Sequence, residues 1–271
     1  MNAPAEIAYL PERPCDIAMR RLKSAPLEPI MFCNWQRVLF INLEVDKAAL
    51  QREVPFALDL YDGRAFVSLV AFHVRDIRPR FCGAVGKTLF RPLEIGELFN
   101  VRTYVRSRGE PAIYFLAEWL GSRINLHLGP TLYGLPYRFG RMRYNHDEEA
   151  GEATGDVCDR GSNARVRYRV NIPGPFIPAV SGSLDEFLVE RYSCFTHFRG
   201  PRRYFRIWHE PWPQARVEVQ EFENDLLVAN WPWLSDAKVI SANYSPGLDN
   251  IWLGRPHILK QFTRRAFMEF P

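Results

Sequence analysis

Apolar and polar positions alternate with a period of two through most of this chain, and only short stretches carry a helical period. "RVLFINLEV" (37–45) reads as a strand. "DKAALQREV" (46–54) reads as a short helix, with Asp46 as N-cap and apolar spacing at Ala49, Leu50 and Val54. "ALDLYDGRAFVSLVAFHV" (57–74) holds two apolar runs around Asp62-Gly63, a hairpin signature. Residues 76–96 read as a long loop. "LFNVRTYVRSRGEPAIYFLAEWL" (98–120) gives the clearest hairpin, turning at "RGEP". Ser122 then caps "RINLHLGPTLYG", a helical segment interrupted by Gly129-Pro130. "YGLPYRFGRMRY" (133–144) follows and becomes a strand near Arg138, and "ARVRYRVNI" (164–172) is another beyond an acidic turn. In "SGSLDEFLVERY" (181–192), Ser183 and Glu186 form a capping box that starts a helix at Ser183. Short strands follow to about Val239.

This pattern predicts an α+β, mainly β chain: an antiparallel barrel or sandwich with short flanking helices. A Pro-rich arm (1–33), one domain (34–245) and a C-terminal extension (246–271) divide it. With 21 prolines, frequent turns are expected.

Charge changes this picture little. A formal net charge of +4 is too mild to imply a nucleic-acid partner, and the basic run "RGPRRYFR" (199–206) reads as a solvated hairpin because no RNA-binding motif accompanies it. The five cysteines are widely spaced and form no CxxC, as in reduced thiols of a cytoplasmic protein. No signal-peptide core is read at the N-terminus, and no run approaches the ~18 apolar residues of a membrane span. "FCGAVGKT" (81–88) imitates a P-loop, but Phe81 stands where glycine is needed and Pro92 follows too soon for the helix. The six histidines are scattered, GxSxG and GxGxxG are absent, and neither cofactor nor metal is expected.

Candidate chemistry lies on the strands. In the first strand of the 98–120 hairpin, Asn100, Arg102 and Tyr104 share one face, and Phe99, Val101, Thr103 and Val105 the other. The polar set faces solvent, or a cavity if the sheet closes. Arg141 and Arg143 share a face with Phe139, opposite Arg138 and Met142. Arg191 sits near the apolar face of its helix, where it bonds helix-end groups or anchors a charge inside the fold.

Five ordered blocks between about Trp35 and Trp212 together resemble the uncharacterised DUF2071 (YqjF-like) family: "ALDLYDGRAFVSLVAFHVRDIRPR", "LFNVRTYVR", "AIYFL", "YGLPYRFGRM" and "SLDEFLVERY". That family is grouped with the acetoacetate decarboxylase-like superfamily. The resemblance implies a closed or partly closed antiparallel sheet around a central cavity, with Asn100, Arg102 and Tyr104 facing inward. Acetoacetate decarboxylases carry a Gly-x-Pro-Lys-Lys-like segment whose first lysine forms a Schiff base. Here "GLPYR" places Tyr137 at that lysine and Arg138 after it. A phenol forms no imine, and a protonated guanidinium is a poor nucleophile. The glutamate those enzymes carry on the strand resembling "FNVRTY" has no counterpart between Phe99 and Val105.

The expectation is a pocket for a small, anionic organic ligand, a keto or carboxylic acid, served by Asn100, Arg102, Tyr104, Arg138 and Arg191. Tyr137 is the candidate general acid, provided that a cation such as Arg102 lowers its pKa. Whether the chain is a lyase or hydrolase without Schiff-base chemistry, or a binding or sensing module, stays open. An interaction protein is a further alternative, with the Trp-rich "LLVANWPWLSDAKVI" (226–240) as core or as a homodimer contact.

Overall fold

In the computed structural model, which describes residues 12–259 other than 84 and 108 and omits the side chains of 87 and 93, the period-two segments become long strands. Helix α1 (Pro14–Ser24) precedes β1 (Met31–Val45), α2 (Lys47–Glu53), β2 (Ala57–Leu58) and β3 (Ala65–Pro79). A short α3 (Val85–Leu89) leads to β4 (Gly96–Ser107), β5 (Glu110–Leu120), α4 (Asn125–Tyr133) and β6 (Tyr137–Asp147). Then come β7 (Glu152–Asp159), β8 (Arg165–Asn171), α5 (Leu184–Val189), β9 (Ser193–Thr196) and β10 (Arg203–Trp208). The rest comprises β11 (Ala215–Arg216), β12 (Glu218–Glu223), α6 (Asp225–Asn230), β13 (Lys238–Leu253) and β14 (His257–Ile258).

Local signals set the helix starts. Asp46 accepts from the Ala49 amide at 2.6 Å and so caps α2, and Ser183 accepts from the Glu186 amide at 3.2 Å and caps α5. The Asp62-Gly63 turn forms, with Tyr61 bridged to Arg64. The strand before it does not pair with β3, however: β2 pairs with β4, which lies on the far side of β3. The 76–96 region also differs from a plain loop, since β3 reaches Pro79 and α3 follows between two single 3-10 turns. Helix α4 runs through Gly129-Pro130 to Tyr133 without interruption.

The strands form one mixed sheet. Its hydrogen-bonded order runs β12-β8-β7-β6-β5-β9-β10-β13-β1-β3-β4-β2, and β4 also pairs with β5. The path β5-β9-β10-β13-β1-β3-β4 therefore returns to β5 as a closed ring. Two pairs, β5–β6 and β5–β9, are parallel and the others antiparallel. Strand β4 is buried on both faces: Phe99, Val101 and Val105 on one side, Asn100, Arg102 and Tyr104 on the other.

Helix α1 packs outside the ring, with Cys15, Ala18 and Leu22 against Tyr192 and Trp208. Residues 1–11 of the N-terminal arm lie outside the described residues. Strand β13 runs unbroken across position 246 and pairs with β1 from Lys238 to Leu253. Residues 260–271 of the C-terminal extension also lie outside the described residues. Leu226, Leu227, Trp231 and Leu234 of the Trp-rich segment are buried, so its core reading is the one observed. No described helix is long and apolar enough to cross a membrane.

Candidate functional site

One register row crosses five strands of the sheet. Phe40 faces Val70, Val70 faces Asn100, Asn100 faces Glu118, and Glu118 faces Tyr137. All five side chains line a cavity of about 420 Å³, together with Arg102 two residues along β4. Most of the remaining lining is apolar, including Val38, Phe72, Ile113, Phe115 and Trp212.

The "YGLPYR" segment brings Tyr137 into this row. Gly134 ends α4 with φ 69°, and its amide bonds the Pro130 carbonyl at 3.0 Å. A side chain is strained there, so glycine lets the chain reverse into β6. The Pro136 carbonyl then accepts from the Glu118 amide at 3.1 Å, which starts the parallel β5–β6 pairing. Helix α4 closes over the tyrosine at Gly129: a Cβ on that residue would lie 2.1 Å from Cε2 of the Tyr137 ring.

The polar groups in the wall are unusually short of partners. Arg102 donates from Nη2 to the Leu188 carbonyl at 3.0 Å and lies over the Phe40 ring at 5.2 Å. Its Nε, together with Asn100 Oδ1 and Glu118 Oε2, is buried without a hydrogen-bond partner. Native interiors leave few such atoms, and each asks for an explanation. Burial alone pushes the Glu118 carboxyl up to about 8, with no charge or hydrogen bond to offset it. Glu118 is therefore mostly neutral at pH 7, a carboxylic acid rather than a carboxylate. Burial, and secondarily the neighbouring Glu118, also raise the Tyr137 phenol well above its ordinary value. That is opposite to the direction a general acid at neutral pH requires, so the phenol keeps its proton and offers a hydrogen bond.

The other expected site residues lie outside the cavity lining. Tyr104 sits one layer behind it. Its hydroxyl donates to the same Leu188 carbonyl at 2.8 Å and contacts Ser68 Oγ at 2.5 Å, which fixes the backbone that holds Arg102. Arg138 points away, over Trp119 and Trp231, and bonds Asn230 Oδ1. Arg191 donates to the Phe187 carbonyl and forms a buried ion pair with Asp59, both at 2.8 Å. It thus bonds helix-end groups, one of the two roles expected of it. Of the six expected site residues, Asn100, Arg102 and Tyr137 meet in the cavity.

Glu118 was missed by the sequence reading. The available signal was a single carboxylate in the apolar strand "AIYFLAEWL". Among the described residues, no group of three or more His, Cys, Asp or Glu is placed to hold a metal ion, and no lysine lines the cavity.

Comparison with known proteins gives the context. The DUF2071 family, described as an uncharacterized conserved protein, matches residues 33–249. The uncharacterized protein YqjF of Bacillus subtilis (strain 168) is 32% identical over 207 residues, covering 74% of this chain and 81% of that protein. Among solved structures, the enduracididine biosynthesis enzyme MppR, complexed with the condensation product of pyruvate and imidazole 4-carboxaldehyde, superposes with a TM-score of 0.61 at 15% identity. The match covers 89% of this chain and 94% of that one. An acetoacetate decarboxylase-like enzyme from Sphingomonas wittichii RW1 gives 0.58 at 15% identity, covering 87% and 95%. The acetoacetate decarboxylase of Legionella pneumophila gives 0.58 at 13%, covering 84% and 87%. At such identities the likeness is one of fold.

Proposed function

The chain belongs to the DUF2071 family, and we propose that it is an enzyme of the lyase or hydrolase type that takes a keto or carboxylic acid into the ring cavity. The observation that carries this reading is the neutral, unpaired Glu118 in the same cavity wall as the unsatisfied Arg102 Nε and Asn100 Oδ1. Carboxylic acids held neutral at pH 7 by an apolar site are suited to donate a proton or a strong hydrogen bond.

Each group then has a role. Arg102 binds the ligand's carboxylate through Nε, a charge-assisted bond stronger than a neutral one. Its other contact, to Leu188, keeps the guanidinium from swinging away. Glu118, as a neutral carboxylic acid, donates a hydrogen bond to the substrate's carbonyl oxygen. Tyr137 donates a hydrogen bond to the same oxygen and Asn100 orients the neighbouring polar group. No imine is involved, because Tyr137 stands where the resemblance places the Schiff-base lysine. Support from outside the chain comes from a structural neighbour, the MppR enzyme, which has also been solved in complex with pyruvate, a keto acid. The five free thiols suit a cytoplasmic setting.

A second reading, a binding or sensing module without turnover, is favoured by one feature. Where the resemblance places a reactive lysine, this chain has a phenol whose pKa is raised, not lowered.

The test is thermal unfolding of the wild type and Arg102→Met against small carboxylates, keto acids and phosphates. A ligand at ~100 times its Kd stabilises the folded state by about 2.7 kcal/mol. The expected outcome is a rise for keto or carboxylic acids in the wild type and none in Arg102→Met. Equal rises in both proteins, or none in either, contradict the anion site. Turnover of the acid that binds, lost in Glu118→Gln, separates the enzyme from the binding module.

A further inference from the structure

The polar end of the cavity occupies only a small part of it. Its volume of about 420 Å³ equals about fourteen liquid-water volumes. A three-carbon keto acid, with about six heavy atoms, fills less than half of that space. The remainder is not polar space for water. It follows β1 through Met31, Cys33, Trp35 and Val38 and β3 through Phe72, Val74, Ile77 and Pro79, all lining residues. Both strands bulge on the way, at Arg37 and Asp76, whose φ angles are 53° and 54°. The bulges restore inward-facing parity, so the apolar wall continues to the strand ends.

Burial grades along this wall. Asn100, Arg102 and Glu118 at the inner end are buried, whereas Met31, Ile77, Pro79, Phe90, Ile95 and Leu253 are half-buried. At the outer end Leu128 and Leu132 of α4 line the cavity while remaining 39% and 54% exposed. An apolar channel that opens through exposed leucines and ends in an unsatisfied arginine is complementary to an amphiphile.

Resting on the anion-binding reading above, we infer that the ligand is a medium-chain 2-oxo or carboxylic acid. Its carboxylate lies on Arg102, and its hydrocarbon chain runs along β1 and β3 to the mouth beside Leu128 and Leu132. A head group and roughly eight further carbons match the volume, because a methylene takes about the space of one liquid water.

The test is isothermal titration of the wild type with straight-chain 2-oxo acids of about three to twelve carbons, and with 1-alkanols of matching length. Each methylene moved from water to the channel should lower Kd about fourfold, until the channel is full near ten to eleven carbons. Alkanols should bind at least about tenfold more weakly than acids of equal length, lacking the charge-assisted bond. Ile95→Trp, which narrows the half-buried part of the channel, should move the optimum to shorter acids. Acids whose affinity does not change with length overturn this inference and leave the anion site standing. Alkanols that bind as tightly as acids overturn the anion site, and with it the head-group placement. If no acid of any length binds, both fall. An optimum unmoved in a folded Ile95→Trp protein places the chain elsewhere and overturns the inference, and if that variant does not fold, the wild-type series decides alone.

Discussion

Burial lifts the Glu118 carboxyl from 4.5 to about 8 with nothing to offset it, so the folded chain holds this proton in a range where the unfolded chain has lost it. The sign follows from linkage. Between about pH 4.5 and 8 the folded state binds more protons at this site, and stability declines as pH rises, by up to ~1.4 kcal/mol per unit from this group. Glu118→Gln removes that decline. Urea unfolding at pH 5 and pH 8 should show the wild type losing more stability over the interval than the variant, with the variant the more stable protein at pH 8. Parallel pH dependences would mean that Glu118 is ionised or paired in the folded state. The other two arginines expected at the site are settled differently. Arg191 meets Asp59, 132 residues away in sequence, and Arg138 meets Asn230, 92 residues away. Neither partner is visible from the arginine's own neighbourhood, so alternation alone could not separate these two from Arg102.

Elements decide which side chains face inward, and here the sequence was legible only in part. Caps are local, and Asp46 and Ser183 marked the starts of α2 and α5. The 98–120 hairpin was legible from its turn and its alternating strand. The face of β4 was not, because solvent-facing and cavity-facing polar rows have the same period, and only closure of the ring distinguishes them. On β5 the obstacle was a bulge. Ile113 and Phe115 line the cavity, so strict alternation sends Ala117 inward and Glu118 outward. Between Val101 and Arg102 of β4 the pairing jumps from Ala117 to Phe115, leaving Leu116 as the extra residue. That shift reverses the parity and turns Glu118 into the cavity. The contact of α4 with β6 supplies the prediction at this scale. Gly129→Ala places a methyl 2.1 Å from the Tyr137 ring, and the ring or the helix must shift. Affinity for the acid should fall about tenfold or more, a loss of about 1.4 kcal/mol in titration, because Tyr137 and the α4 wall move together. Unchanged affinity in a folded variant would remove Tyr137 from the site.

Across the whole molecule, the closed ring of strands explains why polar groups that alternation leaves ambiguous end up in a water-poor cavity. Each strand of the ring is paired on both sides over part of its length, and Asn100, Arg102 and Glu118 are buried on its inner face. The fold is shared with acetoacetate decarboxylase-like enzymes at 13–15% identity, and in this chain Tyr137 and Glu118 stand side by side in the cavity wall. The expected antiparallel sheet is therefore present in outline, with the parallel β5–β6 pair placing Glu118 beside Tyr137. The central claim is that an acid's carboxylate rests on Arg102 with its carbonyl toward Glu118. A crystal structure of the chain with a medium-chain 2-oxo acid tests it most directly. The ligand should lie in the ring cavity, with a carboxylate oxygen about 2.8 Å from Arg102 Nε and the keto oxygen within hydrogen-bond distance of Glu118 or Tyr137. A ligand bound outside the ring, or inside it with its carboxylate turned toward the Leu128–Leu132 mouth, would contradict it.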